Sequence, residues 1–287
     1  MRGSTQRYPS DSFSAKIDDY RSQVDTALNA ELHQRCKSPF FAPFADAFTG
    51  GKRLRPILLL LAYDSVRGRD GDPLPAAVAV ELAHMESLIH DDIIDGDGVR
   101  RDATAFHTRY GQEMALLSAD FILSMILSIA ARYPDPRVMS ALATATARMC
   151  EGELMERLVS ETNKAVRPAV YQRIVLKKTA SLFEAAATIG ALIAGATAPD
   201  LSALAAYGRA LGVAYQIHDD ITDWAHSRTI TLDLKGAHPS QKEFLLQTAT
   251  TFTHEAMENL RPLKSSEAKQ NLIQLAERVD SRPFHQV

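Results

Sequence analysis

Ser87-Leu88-Ile89-His90-Asp91-Asp92-Ile93-Ile94-Asp95 closes one apolar run at helical spacing, and Gln216-Ile217-His218-Asp219-Asp220-Ile221-Thr222-Asp223 closes another. On a helix the first and last Asp of each triplet are i and i+4 and share a face. Three carboxylates on one turn repel each other. Gly96 and Gly98 predict a helix end just past Asp95, where the helix dipole also disfavours anions. A structural helix gains nothing from this arrangement, whereas a hard divalent cation reverses its sign. Each cluster alone fits either a solvated acidic helix end or a metal site. Two at identical spacing favour metal. The alternating ligands and final Glu of an EF-hand are missing from both.

Outward from these stretches the chain reads as helix after helix. Apolar residues recur at helical spacing in most windows, and strand-like alternation is almost absent. Breakers at Gly50-Gly51, Gly68 to Pro75, Asp95 to Gly98, Tyr133 to Pro136, Arg167-Pro168, Ala198-Pro199-Asp200 and Gly236 to Pro239 divide it into about ten helices. Met114 to Ala131, Ala180 to Ala198 and Leu201 to Trp224 are apolar around most of their circumference and are expected inside a bundle. No Gly/Ser/Pro-rich linker appears, so residues 15–287 are read as one all-helical domain, with 1–14 a polar, loose arm lacking the apolar core of a signal peptide.

A chain 46% hydrophobic and 23% charged suits a globular fold, and a net charge of −3 argues against a nucleic-acid partner. The apolar run Ile57 to Tyr63 is far short of a membrane span. Cys36 and Cys150 make no disulfide framework, are read as buried or idle thiols, and suit a reducing cytoplasm.

Cations sit where an anion would need them. Gly50-Gly51-Lys52-Arg53-Leu54-Arg55-Pro56 opens a helix with three cations, either a surface basic run or an anion site at a helix start. Arg100-Arg101 follows the first acidic cluster across a Gly-containing turn. Lys177-Lys178-Thr179 is expected to open another apolar helix. His84 lies two turns before Asp91, and His90 and His218 stand beside the clusters as possible supports for metal ligands. No His/Cys set has zinc spacing, and no hydrolase motif is present.

Taken in order, the Gly50–Pro56 segment, His90-Asp91-Asp92-x-x-Asp95 with Arg100-Arg101, Lys178-Thr179, and Gln216-Ile217-x-Asp219-Asp220-x-x-Asp223 resemble the trans-isoprenyl (polyprenyl) diphosphate synthases, of the short-chain farnesyl/geranylgeranyl type. The resemblance covers most of the chain. It implies an all-α antiparallel bundle around a deep central cavity (the isoprenoid synthase fold), a cytoplasmic location and a homodimer without a membrane span. It implies a prenyltransferase. An allylic diphosphate ionises, the double bond of isopentenyl diphosphate attacks the carbocation, and a proton is lost to the leaving diphosphate. About three Mg2+ ions would attend the diphosphate.

By match to the family motifs, Asp91, Asp92, Asp95, Asp219, Asp220 and Asp223 would be metal-binding. Arg100, Lys178, Thr179 and Gln216 would serve the allylic diphosphate. Gly51, Lys52, Arg55, His84 and Arg101 would hold isopentenyl diphosphate. Glu86 and Ser87 occupy the positions that floor the elongation pocket in the family. A carboxylate there is expected to favour short products of about 15 to 20 carbons. The stretch Asp102 to His107 and the short segment Trp224 to Pro239 depart from the family pattern, the latter keeping only Arg228, Lys235 and Gly236 as lid candidates. A class I terpene cyclase, or a non-catalytic partner subunit of a heteromeric synthase, are the alternatives. The first has no use for Lys52, Arg55, His84 and Arg101, and intact Asp clusters argue against the second.

Overall fold

The computed structural model describes residues 10–48, 50–66, 71–96, 98–100, 103–162, 166–223 and 239–281. Within them the chain forms twelve α-helices and one minimal hairpin. The helices are α1 Ser10–His33, α2 Phe41–Ala47, α3 Leu54–Val66, α4 Leu74–Asp95, α5 Phe106–Tyr110, α6 Gln112–Ala130, α7 Pro136–Ser160, α8 Pro168–Val175, α9 Ser181–Ile193, α10 Ala198–Asp223, α11 Pro239–Asn259 and α12 Glu267–Asp280. The all-helical expectation holds. The two extra helices, α2 and α5, are seven and five residues long, too short to declare a period. The hairpin pairs Val99 with Thr104 and Arg100 with Ala103.

Helix ends follow the local chemistry. Asp135 caps α7 by accepting from the Arg137 amide at 2.9 Å, with Pro136 in the first turn. Ser266 caps α12 by accepting from the Lys269 amide at 3.1 Å. Gly96 ends α4 with φ +68°, as its position after Asp95 predicts. Residues 10–14, read as part of a loose arm, belong to α1, which starts at Ser10; the rest of that stretch lies outside the described residues. Phe13, Ile17, Tyr20, Val24 and Leu28 recur every three or four residues and are buried, so the packing stripe begins inside that stretch.

The core is a stack in which α9 lies between α3 and α10, with α11 packed beyond α10 and α4 against α6. Leu58, Leu59 and Leu61 of α3 are fully buried, as are Ala186, Ala187, Ile189 and Ala191 of α9. The alanines make α9 slender enough for neighbours on both sides, and truncating one of the leucines would cost about 2–5 kcal/mol. Tyr207 of α10 is fully buried and donates to the Leu272 carbonyl of α12 at 2.6 Å, tying the last helix to the stack.

Three expectations fall differently. α6 is long and apolar enough to cross a membrane by composition, yet it packs on α4 at the edge of the bundle. It is not enclosed, because Leu116, Leu117, Leu123 and Leu127 are exposed. Lys177, Lys178 and Thr179 open no helix. They lie in a π-helical turn, Leu176–Ala180, running without a break from α8 into α9. Both cysteines are free, and both are exposed rather than buried.

Candidate active site

Both acidic triplets occupy the last turns of their helices, Asp91 to Asp95 at the end of α4 and Asp219 to Asp223 at the end of α10. Within the first, Asp92 is buried, Asp91 is half-buried and Asp95 is exposed. The π turn lies between the two ends. Lys178 there forms ion pairs at 2.6 Å with Glu153 and with Glu156, both on α7. Burial alone would lower its pKa, but Glu156, Asp91 and Glu153 together hold the ammonium above its usual range. Lys178 is therefore a permanent cation within the field of the first acidic cluster.

A close approach places it. A Cβ on Gly152 of α7 would lie 2.4 Å from the Lys178 amide nitrogen, so only glycine lets α7 touch the π turn. The π turn itself offsets Lys178 from the regular helical track, a common device at functional sites.

The second cluster is fastened by a chain of hydrogen bonds. Tyr171 of α8 donates to Asp220 Oδ2 at 2.5 Å. Gln216 Nε2 donates to Asp220 Oδ1 at 2.8 Å, and Thr179 Oγ1 donates to Gln216 Oε1 at 2.7 Å. Desolvation pushes the Asp220 carboxyl up to about 7, against the two hydrogen bonds that lower it; Asp219 and Glu156 raise it further. Glu156 is likewise raised by burial, resisted by Lys178, with Glu153 and Asp95 adding to the rise. Glu156 thus feels Asp95 of one cluster while Asp220 of the other feels Glu156. These α4, α7 and α10 carboxylates share one electrostatic site.

Glu153, Glu156 and Tyr171 are the site residues that the sequence reading missed. Acids at i and i+3 on a helix ordinarily read as a solvated face. The signal was Gly152 beside them on a helix with few other breaks.

The other expected residues fall as follows. Lys52 lines a cleft with Phe13, Ile17, Leu54 and Arg278, between α1, α3 and α12. Arg55 lies over the Phe183 ring of α9 at 4.8 Å from its centroid. Gly51 is exposed with φ +101°. His84 is half-buried on α4, and its carbonyl accepts from Ser87 Oγ at 2.8 Å. Glu86 lies on the same helix, pushed up to about 7 by desolvation and by Asp120 of α6. Cys150 of α7 feels the Glu86 charge as well, so Glu86 faces the space among α4, α6 and α7. His90 is lowered by burial, opposed by Asp120. His218 turns toward α12, 3.4 Å from Asp280 Oδ1. The side chains of Arg100 and Asp223, and Arg101, Arg228, Lys235 and Gly236 entirely, lie outside the described residues.

Among the described residues no three His, Cys, Asp or Glu side chains form a metal cage by themselves. The donor set nevertheless suits Mg2+, which takes one or two carboxylates and fills its shell with water and substrate phosphate.

A family model described as polyprenyl synthetase matches residues 38–272, most of the chain and both acidic clusters. The chain belongs to the polyprenyl synthetase family. It is 37% identical over 243 residues to a geranylgeranyl diphosphate synthase of Methanosarcina mazei, covering 83% of this chain and 75% of that protein. It is 40% identical over 178 residues to a short chain isoprenyl diphosphate synthase of Methanothermobacter thermautotrophicus, covering 61% of this chain and just over half, 54%, of the relative. Its fold matches a decaprenyl diphosphate synthase from Rhodobacter capsulatus with a TM-score of 0.84 at 26% identity, over 95% of this chain and 98% of the other. A geranylgeranyl pyrophosphate synthetase from Pyrococcus horikoshii gives 0.83 at 27%, over 95% and 99%. The polyprenyl synthetase match thus takes in the Gly50–Pro56 loop, the π turn and both acidic helix ends in one span.

Proposed function

We propose that the chain is a Mg2+-dependent trans-prenyltransferase that condenses isopentenyl diphosphate with an allylic diphosphate to give a short-chain prenyl diphosphate. The observation that carries this is the convergence on Lys178 and Glu156 of two acidic helix ends, in a chain that also has a separate cationic segment at Gly50–Pro56. The acids would hold one diphosphate through metal, and the cations would hold a second directly.

Asp91, Asp92, Asp95, Asp219, Asp220 and Asp223 form the metal-binding set. When bound, Mg2+ neutralises the charge that grows on the departing diphosphate. Lys178 adds a fixed positive charge to the same group, and Arg100 is assigned beside it. Asp220 also acts through its neighbours. Its hydrogen bonds orient Gln216, and through it Thr179, on the side of the π turn next to Lys178. Lys52, Arg55, His84, Arg101 and the Gly51 backbone are assigned to isopentenyl diphosphate. The elongating chain runs into the space among α4, α6 and α7, with Glu86 and Ser87 at its floor. A carboxyl there resists a long hydrocarbon tail. No side chain is assigned as general base.

The protein is proposed to work as a cytoplasmic homodimer. The support is the apolar face of α6, where Leu116, Leu123 and Leu127 recur at seven- and four-residue intervals and stay exposed, with Leu154 and Leu158 exposed on α7.

The test is to supply labelled isopentenyl diphosphate with dimethylallyl, geranyl and farnesyl diphosphates in turn, with and without Mg2+, and to identify products by mass. Chain extension only with Mg2+ is expected. Hydrocarbon formed without isopentenyl diphosphate would point instead to a cyclase, and no turnover to a partner subunit. Glu86→Ala should shift products toward longer chains; long products from the unaltered protein, unchanged by that substitution, would remove Glu86 from the floor.

A further inference from the structure

Arg53 stands between Lys52 and Arg55 in the cationic loop, and by composition it belongs with them as a ligand for phosphate. Its geometry gives it another task. The residue is 5% exposed, and each guanidinium nitrogen is engaged. Nε donates to Asp25 Oδ1 of α1 at 2.8 Å, Nη1 to Glu81 Oε1 of α4 at 2.7 Å, and Nη2 to the Phe48 carbonyl at the end of α2 at 2.8 Å. Glu81 is itself buried, so this pair is sheltered from water. A phosphate could use the guanidinium fork only by displacing carboxylates already seated on it.

The backbone bends to allow this. Arg53 has φ +50°, and among the described residues no other non-glycine has a positive φ. An L-residue holds that conformation only where its surroundings over-determine it. The loop also folds over its own arginine. A Cβ on Gly51 would lie 3.3 Å from Arg53 Nη1, so the glycine backbone packs directly on the guanidinium.

We infer that Arg53 is a positioning residue. By gripping α1, α2 and α4 at once, it fixes the Gly50–Pro56 loop, and with it Lys52 and Arg55, relative to the helix that carries His84 and the first acidic cluster. This rests on the prenyltransferase reading for the identity of the anion held by the loop. Glu81 is ten residues before Asp91 on one continuous helix, roughly 15 Å along its axis. The Arg53–Glu81 pair therefore ties the isopentenyl diphosphate loop to the helix that bears the metal-binding acids. Carbon–carbon bond formation requires the reacting atoms near van der Waals contact, and a displacement of about 1 Å can cost on the order of a hundredfold in rate.

The experiment compares Arg53→Gln, Arg53→Lys and Glu81→Gln with the unaltered protein, varying one substrate while the other saturates. Arg53→Gln should raise KM for isopentenyl diphosphate by about tenfold or more and leave KM for the allylic diphosphate within about twofold. Arg53→Lys keeps the charge but cannot fork between two carboxylates, so it should fall on the same side. Glu81→Gln separates this role from direct phosphate contact. It leaves the guanidinium in place, so a phosphate ligand would bind as well or better, whereas a positioning residue loses its hold and KM for isopentenyl diphosphate rises. Should the Arg53 variants fail to fold, Glu81→Gln and the milder Asp25→Asn carry the test. Calorimetric titration with isopentenyl diphosphate alone reads the loop without turnover. Weakened binding there supports the role of Arg53 even if no condensation is observed with any allylic substrate. A folded variant in which both KM values rise together, or in which isopentenyl diphosphate binds as before, overturns the inference.

Discussion

Replacing Glu86 by Gln should stabilise the protein at pH 8 and do progressively less as the pH falls to about 5. Glu86 rises from an ordinary 4.5 to about 7, first because it is desolvated and second because Asp120 faces it. Between these two values the folded protein holds a proton that the unfolded chain releases. Stability therefore declines as pH rises through that window, and the whole penalty is present above pH 7. A rise of that size corresponds to roughly 3 kcal/mol. The side chain remains partly open to solvent, which screens the effect, so about 1.5 kcal/mol is the figure to expect. For a chain of this size that is a thermal shift of about 3 °C or a little more. Glutamine keeps the shape and removes the ionisation. Urea unfolding of both proteins at pH 5 and pH 8 measures the difference. The gain should appear at pH 8 and shrink to a few tenths of a kcal/mol near pH 5. The titratable groups that enter the comparison are Asp120 on α6 and Cys150 on α7, with His90 on α4 meeting the same Asp120. Equal stabilisation at both pH values would mean that Glu86 is not held neutral by its surroundings.

Three further outcomes follow from the site and its surface. Asp91→Ala and Asp219→Ala should each lower turnover by about a hundredfold or more in a steady-state assay with Mg2+ in excess, while circular dichroism stays unchanged. Gly152→Val should push α7 off the Lys178 backbone, costing roughly 1–3 kcal/mol of stability in chemical unfolding and lowering turnover through displacement of the ammonium. Leu123→Glu combined with Leu127→Glu should convert a dimer to a monomer in sedimentation velocity, because it puts charge on the exposed apolar face of α6; an unchanged sedimentation coefficient would place any self-association elsewhere.

Much of the site was legible because its signals are local. The i, i+4 spacing of Asp91 with Asp95 and of Asp219 with Asp223, each at a predicted helix end, survives intact in the structure. The helical class was equally clear, since α3, α9 and α10 are apolar over many turns. What was not legible depends on long-range partners. The burial of Arg53 cannot be read from a basic run, because it depends on Asp25 and Glu81, each 28 residues away. The ion pairs of Glu153 and Glu156 with Lys178 depend on α7 touching the π turn, and nothing in Lys177-Lys178-Thr179 betrays a π turn instead of a helix start. The open face of α6 failed for a related reason. Apolarity all round a helix reports that it wants cover, not whether its own chain provides it.

The clustering of Asp91, Asp95, Glu156, Asp219 and Asp220 has a consequence for anyone wishing to harden this protein. Without ligand, Glu156 and Asp220 oppose the fold, since both carboxyls sit above their normal range, and the triplets lie at the ends of their helices that disfavour anions. Neutralising a carboxyl held above its range, Asp220 above all, is a route to a higher melting temperature, and on the proposed function such a change removes part of what grips the diphosphate. A screen for heat resistance alone would thus drift toward inert variants. One that also selects for function must seek its gains elsewhere, in the α3–α9–α10 stack.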